Sequence, residues 1–267
     1  MEGTRVRLGL SLLLLTLSAC GADGVGSYSL PIKDPISKDG DPSEAIGFYS
    51  DGSLIDGMNL PKESSAHLKI FRLRSRGWGT KSLIDTIVNS AAAFRKKFPK
   101  GDRVQIGDMS AHEGGTLSRH ASHQNGLDAD VAYLTKNHKE YDPNVLGEAG
   151  FTENFVVGGK ITKNFDTTRN WFLLKEIVLQ KGVGRIFVDP KIKKKFCDKN
   201  LTIDAKADLS TRTEVLRRLR PYPNHDDHFH MRIECPARDG RCVAQEEPPV
   251  GSGCDMIESV SFDEHEL

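Results

Sequence analysis

The chain has 267 residues, with 37 Lys+Arg against 37 Asp+Glu, so its formal net charge is zero. That balance lacks the basic footprint of a nucleic-acid-binding protein, and no nucleic acid partner is expected. Hydrophobic residues make up 37 % and aromatics 7 %, which argues against a membrane bundle and fits a loop-rich globular chain with one ample core.

Arg5 and Arg7 precede an apolar run from Leu8 to Leu17 that is too short to span a bilayer, so residues 1–19 read as a targeting segment. Leu17-Ser18-Ala19-Cys20-Gly21 is similar to the lipobox of bacterial lipoproteins. Cleavage there would make Cys20 the lipidated first residue and anchor the protein to a membrane, and Gly21 in place of Asp favours the outer membrane. Several acyl chains on one cysteine anchor stably. An ordinary signal peptide cut near Ala19 is the rival. Residues 20–45 are rich in Gly, Pro, Asp, Ser and Lys and are expected to form a flexible tether. The domain is expected over 46–267.

Within it, His67 to Leu73 alternates apolar and polar and reads as a strand. Thr80 is placed to cap a helix from Lys81 to Lys97, with Leu83, Ile84, Ile87, Val88, Ala91 and Phe94 on its apolar face. Val104 to Gly107 is a short strand, and Asp108 to Ser118 a loop. Its Gly114-Gly115 pair matches no phosphate-binding motif. Leu127 to Leu134 is a strand, and Thr135 to Lys163 is loop and hairpin. Asp166 or Thr167 caps a second helix bearing Trp171, Leu174, Ile177 and Val178, which ends at Gly182. Arg185 to Val188 is a strand, and Pro190 opens a short helix to Phe196 whose Lys193 to Lys195 read as a solvated face. Thr211 to Leu219 is a further helix, and His228 to Glu234 the last strand. The irregular spacing of these elements favours an α+β domain: a small antiparallel sheet core flanked by helices.

Two stretches carry the chemistry. One is His120-Ala121-Ser122-His123-Gln124-Asn125-Gly126-Leu127-Asp128-Ala129-Asp130, the other His225-Asp226-Asp227-His228-Phe229-His230. In a strand, residues two apart face the same side. His228, His230 and Arg232 therefore share one face, while Phe229, Met231 and Ile233 share the other and can pack inward. The same alternation lets Asp130 face a metal from a neighbouring strand, and the turn before Gly126 lets His123 reach the same ion. Two imidazoles and a carboxylate suit Zn²⁺, and three protein ligands leave a position for water, which marks a catalytic site. His123, Asp130 and His230 are thus the expected ligands and His228 the base. His120 and His225 are expected to hydrogen-bond the ligands from behind or to stabilise the transition state, and Asp128 to orient a ligand imidazole. His112 and His138 read as surface histidines. Ser122 lies in no nucleophile elbow.

Beyond Cys20 the chain holds Cys197, Cys235, Cys242 and Cys254, which allow three pairings in an oxidising compartment. The expected pairs are Cys235–Cys242, closing a tight loop after a strand, and Cys197–Cys254, tying the C-terminal tail to the body.

These stretches, with Gly107-Asp108-Met109, Gly114-Gly115, Arg185-Ile186-Phe187-Val188-x-Pro190 and Glu234-Cys235-Pro236, resemble the penicillin-insensitive murein endopeptidases. That family's metal site is similar to those of lysostaphin-type peptidases and D-Ala-D-Ala carboxypeptidases. The resemblance implies a periplasmic zinc endopeptidase cutting D-alanyl–diaminopimelate crosslinks in peptidoglycan. It puts His123, Asp130 and His230 on one zinc ion, His228 in the catalytic role, and His120 and His225 on other active-site histidines. The cysteine pairing agrees with the family's. Where members can carry an Asp-Gly-Lys-His stretch, this chain has Gly158-Gly159-Lys160-Ile161, so a second ion is not expected. A cysteine near Ser53 and its C-terminal partner are absent, and the lipobox is an addition. No oligomeric state is implied. The alternatives are a DD- or LD-carboxypeptidase trimming stem peptides and a non-catalytic wall-binding lipoprotein.

Overall fold

The computed structural model describes residues 1, 41–145, 147, 150–199, 201, 203–204 and 208–257. The targeting segment, Cys20 and the tether as far as residue 40 lie outside the described residues.

A hairpin of β1 (Glu44–Phe48) and β2 (Asp51–Ile55) opens the domain, two residues before the expected boundary. Gly47 takes a left-handed φ of 70° there, and a Cβ on it would lie 2.3 Å from the Asp51 carbonyl oxygen. Only glycine fits that bend. Next come β3 (Met58–Asn59), β4 (His67–Lys69) and β5 (Trp78–Gly79). β4 is shorter than the alternation predicts. Phe71 adopts a left-handed φ of 55°, which ends the strand and starts a 3₁₀ turn over Arg72–Arg74.

The Thr80 hydroxyl accepts from the Leu83 N–H at 3.3 Å and starts α1 (Lys81–Lys97). β6 (Val104–Ile106), β7 (Asp128–Ala132), β8 (Val156–Val157) and β9 (Lys160–Ile161) follow. α2 (Thr167–Val178) is capped by the Asp166 carboxylate. β10 (Val183–Val188) leads into α3 (Pro190–Cys197), where Pro190 occupies the first turn and Asp189 caps. α4 (Leu209–Arg218) starts two residues earlier than expected because the Asp208 carboxylate caps it. β11 (Leu219–Pro221) and β12 (His228–Ile233) complete the chain of elements.

The sheet corrects the expectation of a small antiparallel core. It has six strands in the order β11-β10-β12-β7-β6-β4. The centre is antiparallel, but both edge pairs, β10–β11 and β4–β6, are parallel. Helices explain this: α1 lies between β4 and β6, and α3 and α4 lie between β10 and β11, the crossovers that parallel pairing requires.

One hydrophobic core joins Leu83, Ile87 and Phe94 of α1 and Trp171 and Leu174 of α2 to Phe229, Met231 and Ile233 of β12. Each of these large side chains contributes about 1.5–3 kcal/mol by leaving water. The apolar face of β12 is therefore fixed, and its opposite face carries His228, His230 and Arg232. Tyr49, from the β1–β2 turn, closes over the Arg232 end. Its ring lies 4.0 Å from the Arg232 guanidinium carbon, and its hydroxyl donates to the Ile233 carbonyl.

The lysine run of α3 is a second correction. Lys193 is fully buried, beside Ile192 and Phe196 on the inward face, while Lys194 is exposed. Both expected disulfides are formed, Cys197–Cys254 and Cys235–Cys242. The latter spans 7 residues, so Cys235→Ala/Cys242→Ala is expected to lose about 2 kcal/mol of stability from loop entropy. Urea denaturation under non-reducing conditions measures it.

Lys69 is a buried cation in β4, with its ammonium donating to the Ile70 carbonyl at 2.5 Å. Burial pushes its pKa down to about 8, against the pull of the Asp108 and Asp130 carboxylates. The unfolded chain keeps this proton up to about 10.4. Between those values the unfolded state binds more protons, so this contribution to stability rises with pH. The wild type should gain up to ~1.4 kcal/mol per pH unit relative to Lys69→Met across that window. Parallel urea titrations at pH 7.5 and above check the sign; a flat difference would remove Lys69 as the cause.

Candidate functional site

β7 and β12 pair so that Asp130 lies directly opposite His230, and Asp128 opposite Arg232. The loop entering β7 brings two more imidazoles. Arg119, His123 and Gly126 all take left-handed φ values, of 67°, 68° and 76°. At Gly126 a Cβ would meet Leu54 Cδ1 at 2.8 Å, so the turn needs glycine. Non-glycine residues held this way cost free energy and gather at functional sites. Here they fold the loop back over the sheet.

The result is a carboxylate ringed by histidines. Asp130 Oδ1 lies 3.3 Å from His123 Nε2, 3.5 Å from His230 Nδ1 and 3.6 Å from His228 Nε2. His120 Nδ1 approaches Asp130 Oδ2 at 3.7 Å. Among the described residues, the ligand atoms of His120, His123 and Asp130 all fall within 4.8 Å of one another, a possible metal-holding set with His120 where the expected one has His230. Asp130 Oδ1, both ring nitrogens of His123 and His230 Nε2 are buried without a hydrogen bond. Such atoms cost free energy unless something satisfies them, and a cation among them would do so.

The surroundings fix each ring. Asp128, fully buried, accepts from the His123 backbone N–H at 3.0 Å, and its Oδ1 lies 3.0 Å from His230 Nε2, off the line of a good hydrogen bond. His228 Nδ1 donates to Asp227 Oδ1 at 2.5 Å, and its ring stacks on Phe151 with centroids 4.8 Å apart. His120 Nε2 is 3.2 Å from Asp108 Oδ2, which Arg74 and Arg76 also hold at 2.8 and 3.1 Å. His225 Nδ1 donates to the Pro223 carbonyl at 2.8 Å, so its Nε2 is the acceptor in the neutral ring.

Burial pushes His225 down to about 3 and His230 to about 4, so both rings are neutral, the form able to bind a metal. Burial also opposes charge on His123 and His228, yet the Asp130 carboxylate outweighs it and both are raised; Asp227 adds to this at His228. Asp108 sits at about 2: burial raises it, but His120 and Arg74 outweigh that.

The structure therefore brings His120, His123, Asp128, Asp130, His228 and His230 together. His225 stands behind, its ring centroid 5.0 Å from that of His228. Sequence reasoning assigned no role to Asp227, Phe151, Arg74 or Arg76. Asp227 adjoins His228 in the chain, and neighbours in a strand face opposite sides; only the bend at the start of β12 turns its carboxylate onto the ring. Asp108 stood in a quoted motif but had no role attached. Asp108, Asp227 and Phe151 line a cleft of about 160 Å³ over His120, Asp130 and His228.

The family model described as penicillin-insensitive murein endopeptidase matches residues 45–266. A protein of that name from Yersinia pestis bv. Antiqua is 33 % identical over 213 residues, covering 79 % of this chain and 73 % of its own. One from Haemophilus influenzae is 31 % identical over 229 residues, covering 84 % and 74 %. One from Escherichia coli O157:H7 is 29 % identical, covering 79 % and 74 %. With its model spanning nearly the whole described domain, the chain belongs to the penicillin-insensitive murein endopeptidase family.

Proposed function

We propose that this protein is a zinc-dependent DD-endopeptidase hydrolysing D-alanyl–diaminopimelate crosslinks of peptidoglycan, with His123, Asp130 and His230 holding one ion. The observation carrying this reading is the convergence of the His123, His230 and His228 rings on one buried carboxylate oxygen. The donor set fits Zn²⁺: two imidazoles and one carboxylate, all deeply buried, with the unsatisfied His123 Nε2 and Asp130 Oδ1 3.3 Å apart and His230 Nδ1 turned towards the same oxygen. Bound there, zinc would make a water acidic and polarise the scissile carbonyl.

The protein's own groups then have distinct tasks. His228 presents Nε2 to the cleft while Asp227 holds Nδ1, so it can keep a proton and pass it to the departing amine. His120, braced by Asp108, faces the same cleft and can donate to developing negative charge on the carbonyl oxygen. His225 stays neutral. Phe151 covers one side of His228 and limits water there. Asp227→Asn is expected to keep the zinc and lower turnover by about 10–100-fold, since only the orientation and charge of His228 change. Steady-state kinetics beside metal analysis test it.

The reading places the enzyme in the periplasm, held at a membrane through lipid on Cys20. No helix among the described residues is long and apolar enough to cross a membrane. Metal analysis and a sacculus digest together test the function. Purified protein should carry zinc and release monomeric muropeptides from crosslinked sacculi, unaffected by penicillin and stopped by chelator. Loss of a single terminal residue would indicate a carboxypeptidase, and no release with zinc bound would remove the enzymatic reading.

A further inference from the structure

Away from the histidines, a cleft of about 1470 Å³ is walled by β9, α3 and the tail segment 249–257. The Cys197–Cys254 disulfide pins that tail against α3. Among the described lining residues, eight are Lys or Arg and only Asp198 and Asp255 are acidic. Lys191, Lys194 and Lys195 stand at i, i+3 and i+4 of α3 and so share one side of the helix. Lys136, Lys160 and Arg220 arrive from other elements. Arg217 is ion-paired with Glu214 and Glu247, and the lining still holds far more Lys and Arg than acid in a chain of zero net charge. Like charges held together oppose folding, and a cleft lined by one sign concentrates the opposite one.

We infer that this cleft is a second binding site for peptidoglycan, one that docks the carboxylate-bearing stem peptides of a strand beyond the bond being cut. The inference rests on the proposed endopeptidase function. Two observations favour a polymer strand. The volume exceeds the 300–1,000 Å³ typical of small-ligand sites, so a chain segment fits better than a single metabolite. The walls also run into the loop before the catalytic strand: the Asp189 N–H, at the head of α3, donates to the His225 carbonyl at 3.2 Å, and the Phe155 N–H, before the β8–β9 hairpin, to the Asp226 carbonyl at 2.7 Å. Two walls of the cleft are thus tied through the backbone to the loop that precedes His228. An anionic bilayer would meet the rim of this concavity and leave its floor untouched.

The test uses the full mature chain, zinc-loaded, in a His228→Ala background so that sacculi stay intact during binding. Lys191→Glu/Lys194→Glu/Lys195→Glu is compared with its parent by co-sedimentation with purified sacculi and with phosphatidylglycerol vesicles. The triple Gln variant and thermal midpoints guard against misfolding. The expected result is a loss of sacculus affinity on the order of 10-fold or more at low salt, smaller for Gln than for Glu, and parental binding that weakens as salt rises. Unchanged sacculus binding by the folded Glu variant overturns the inference. So does a loss confined to the vesicles, which would make the cleft a membrane contact. Wild-type cleavage of a soluble crosslinked dimer is measured separately. If it fails while sacculus binding still depends on the cleft, the endopeptidase reading falls and the binding site stands.

Discussion

His230→Ala is expected to strip zinc from the purified protein and cut turnover by at least ~10³-fold, whereas His120→Ala keeps the ion and loses less. Both rings border Asp130, and mutual distance favours His120, whose ligand atom lies within 4.8 Å of those of His123 and Asp130. Support and burial favour His230. His230 lies on a central strand, directly across from Asp130 in register, with a side chain only 5 % exposed. Its Nε2 faces the buried Asp128 carboxylate, the partner that directs Nδ1 inward. His120 comes from a loop, its side chain is 18 % exposed, and its Nε2 is committed to Asp108. Catalytic metals need rigid ligands, and the sheet is the more rigid platform. Metal content by plasma emission and digestion of sacculi would be read on both variants. Zinc lost from His120→Ala and retained by His230→Ala would hand the third ligand position to His120, and the roles of the two rings would exchange.

The parts of this site that were legible in the sequence are those governed by short-range periodicity. β12 alternates without interruption, so the separation of Phe229, Met231 and Ile233 from His228, His230 and Arg232 followed from a period of two. α1 announced itself through its cap and one apolar stripe. The misreadings share a different cause. His67 to Leu73 also alternates, but a single left-handed backbone at Phe71 ends the strand, and alternation carries no sign of it. Bent back in this way, the chain lets Arg74 and Arg76 reach Asp108. In Lys193-Lys194-Lys195 the composition is uniform, and only the direction of Ile192 and Phe196 decides which lysine turns inward. The parallel edge pairs depend on long connections, whose pairing partner no local pattern names. Chemistry was thus visible where ligands lie on regular strands and hidden where loops supply the supporting carboxylates.

Asp128→Ala should cost about 3–5 kcal/mol of stability, because it leaves the Arg232 guanidinium buried without its counter-charge. Asp128 is fully buried and Arg232 is 1 % exposed. Arg232 Nε donates to Asp128 Oδ1 at 2.8 Å and Nη2 to Oδ2 at 3.3 Å, the two-point geometry that suits a planar guanidinium. Gln245 accepts from Nη1 at 3.0 Å, and the cation lies over Tyr49 and Phe187, at 4.0 and 5.2 Å. None of these neutral partners replaces a carboxylate. The same Asp128 also holds the His123 N–H and faces His230. One substitution therefore loosens both expected ligand histidines and exposes a charge cost beneath them. Adding Arg232→Met to Asp128→Ala removes the cation that lost its carboxylate and should recover part of the stability, but no zinc affinity, since the imidazoles remain unguided. Urea denaturation of the metal-free proteins gives the first quantity and zinc competition titration the second. Recovery of both by the double variant would mean that Asp128 serves only to neutralise Arg232; a loss below ~1 kcal/mol in the single variant would mean that water reaches the pair and screens it.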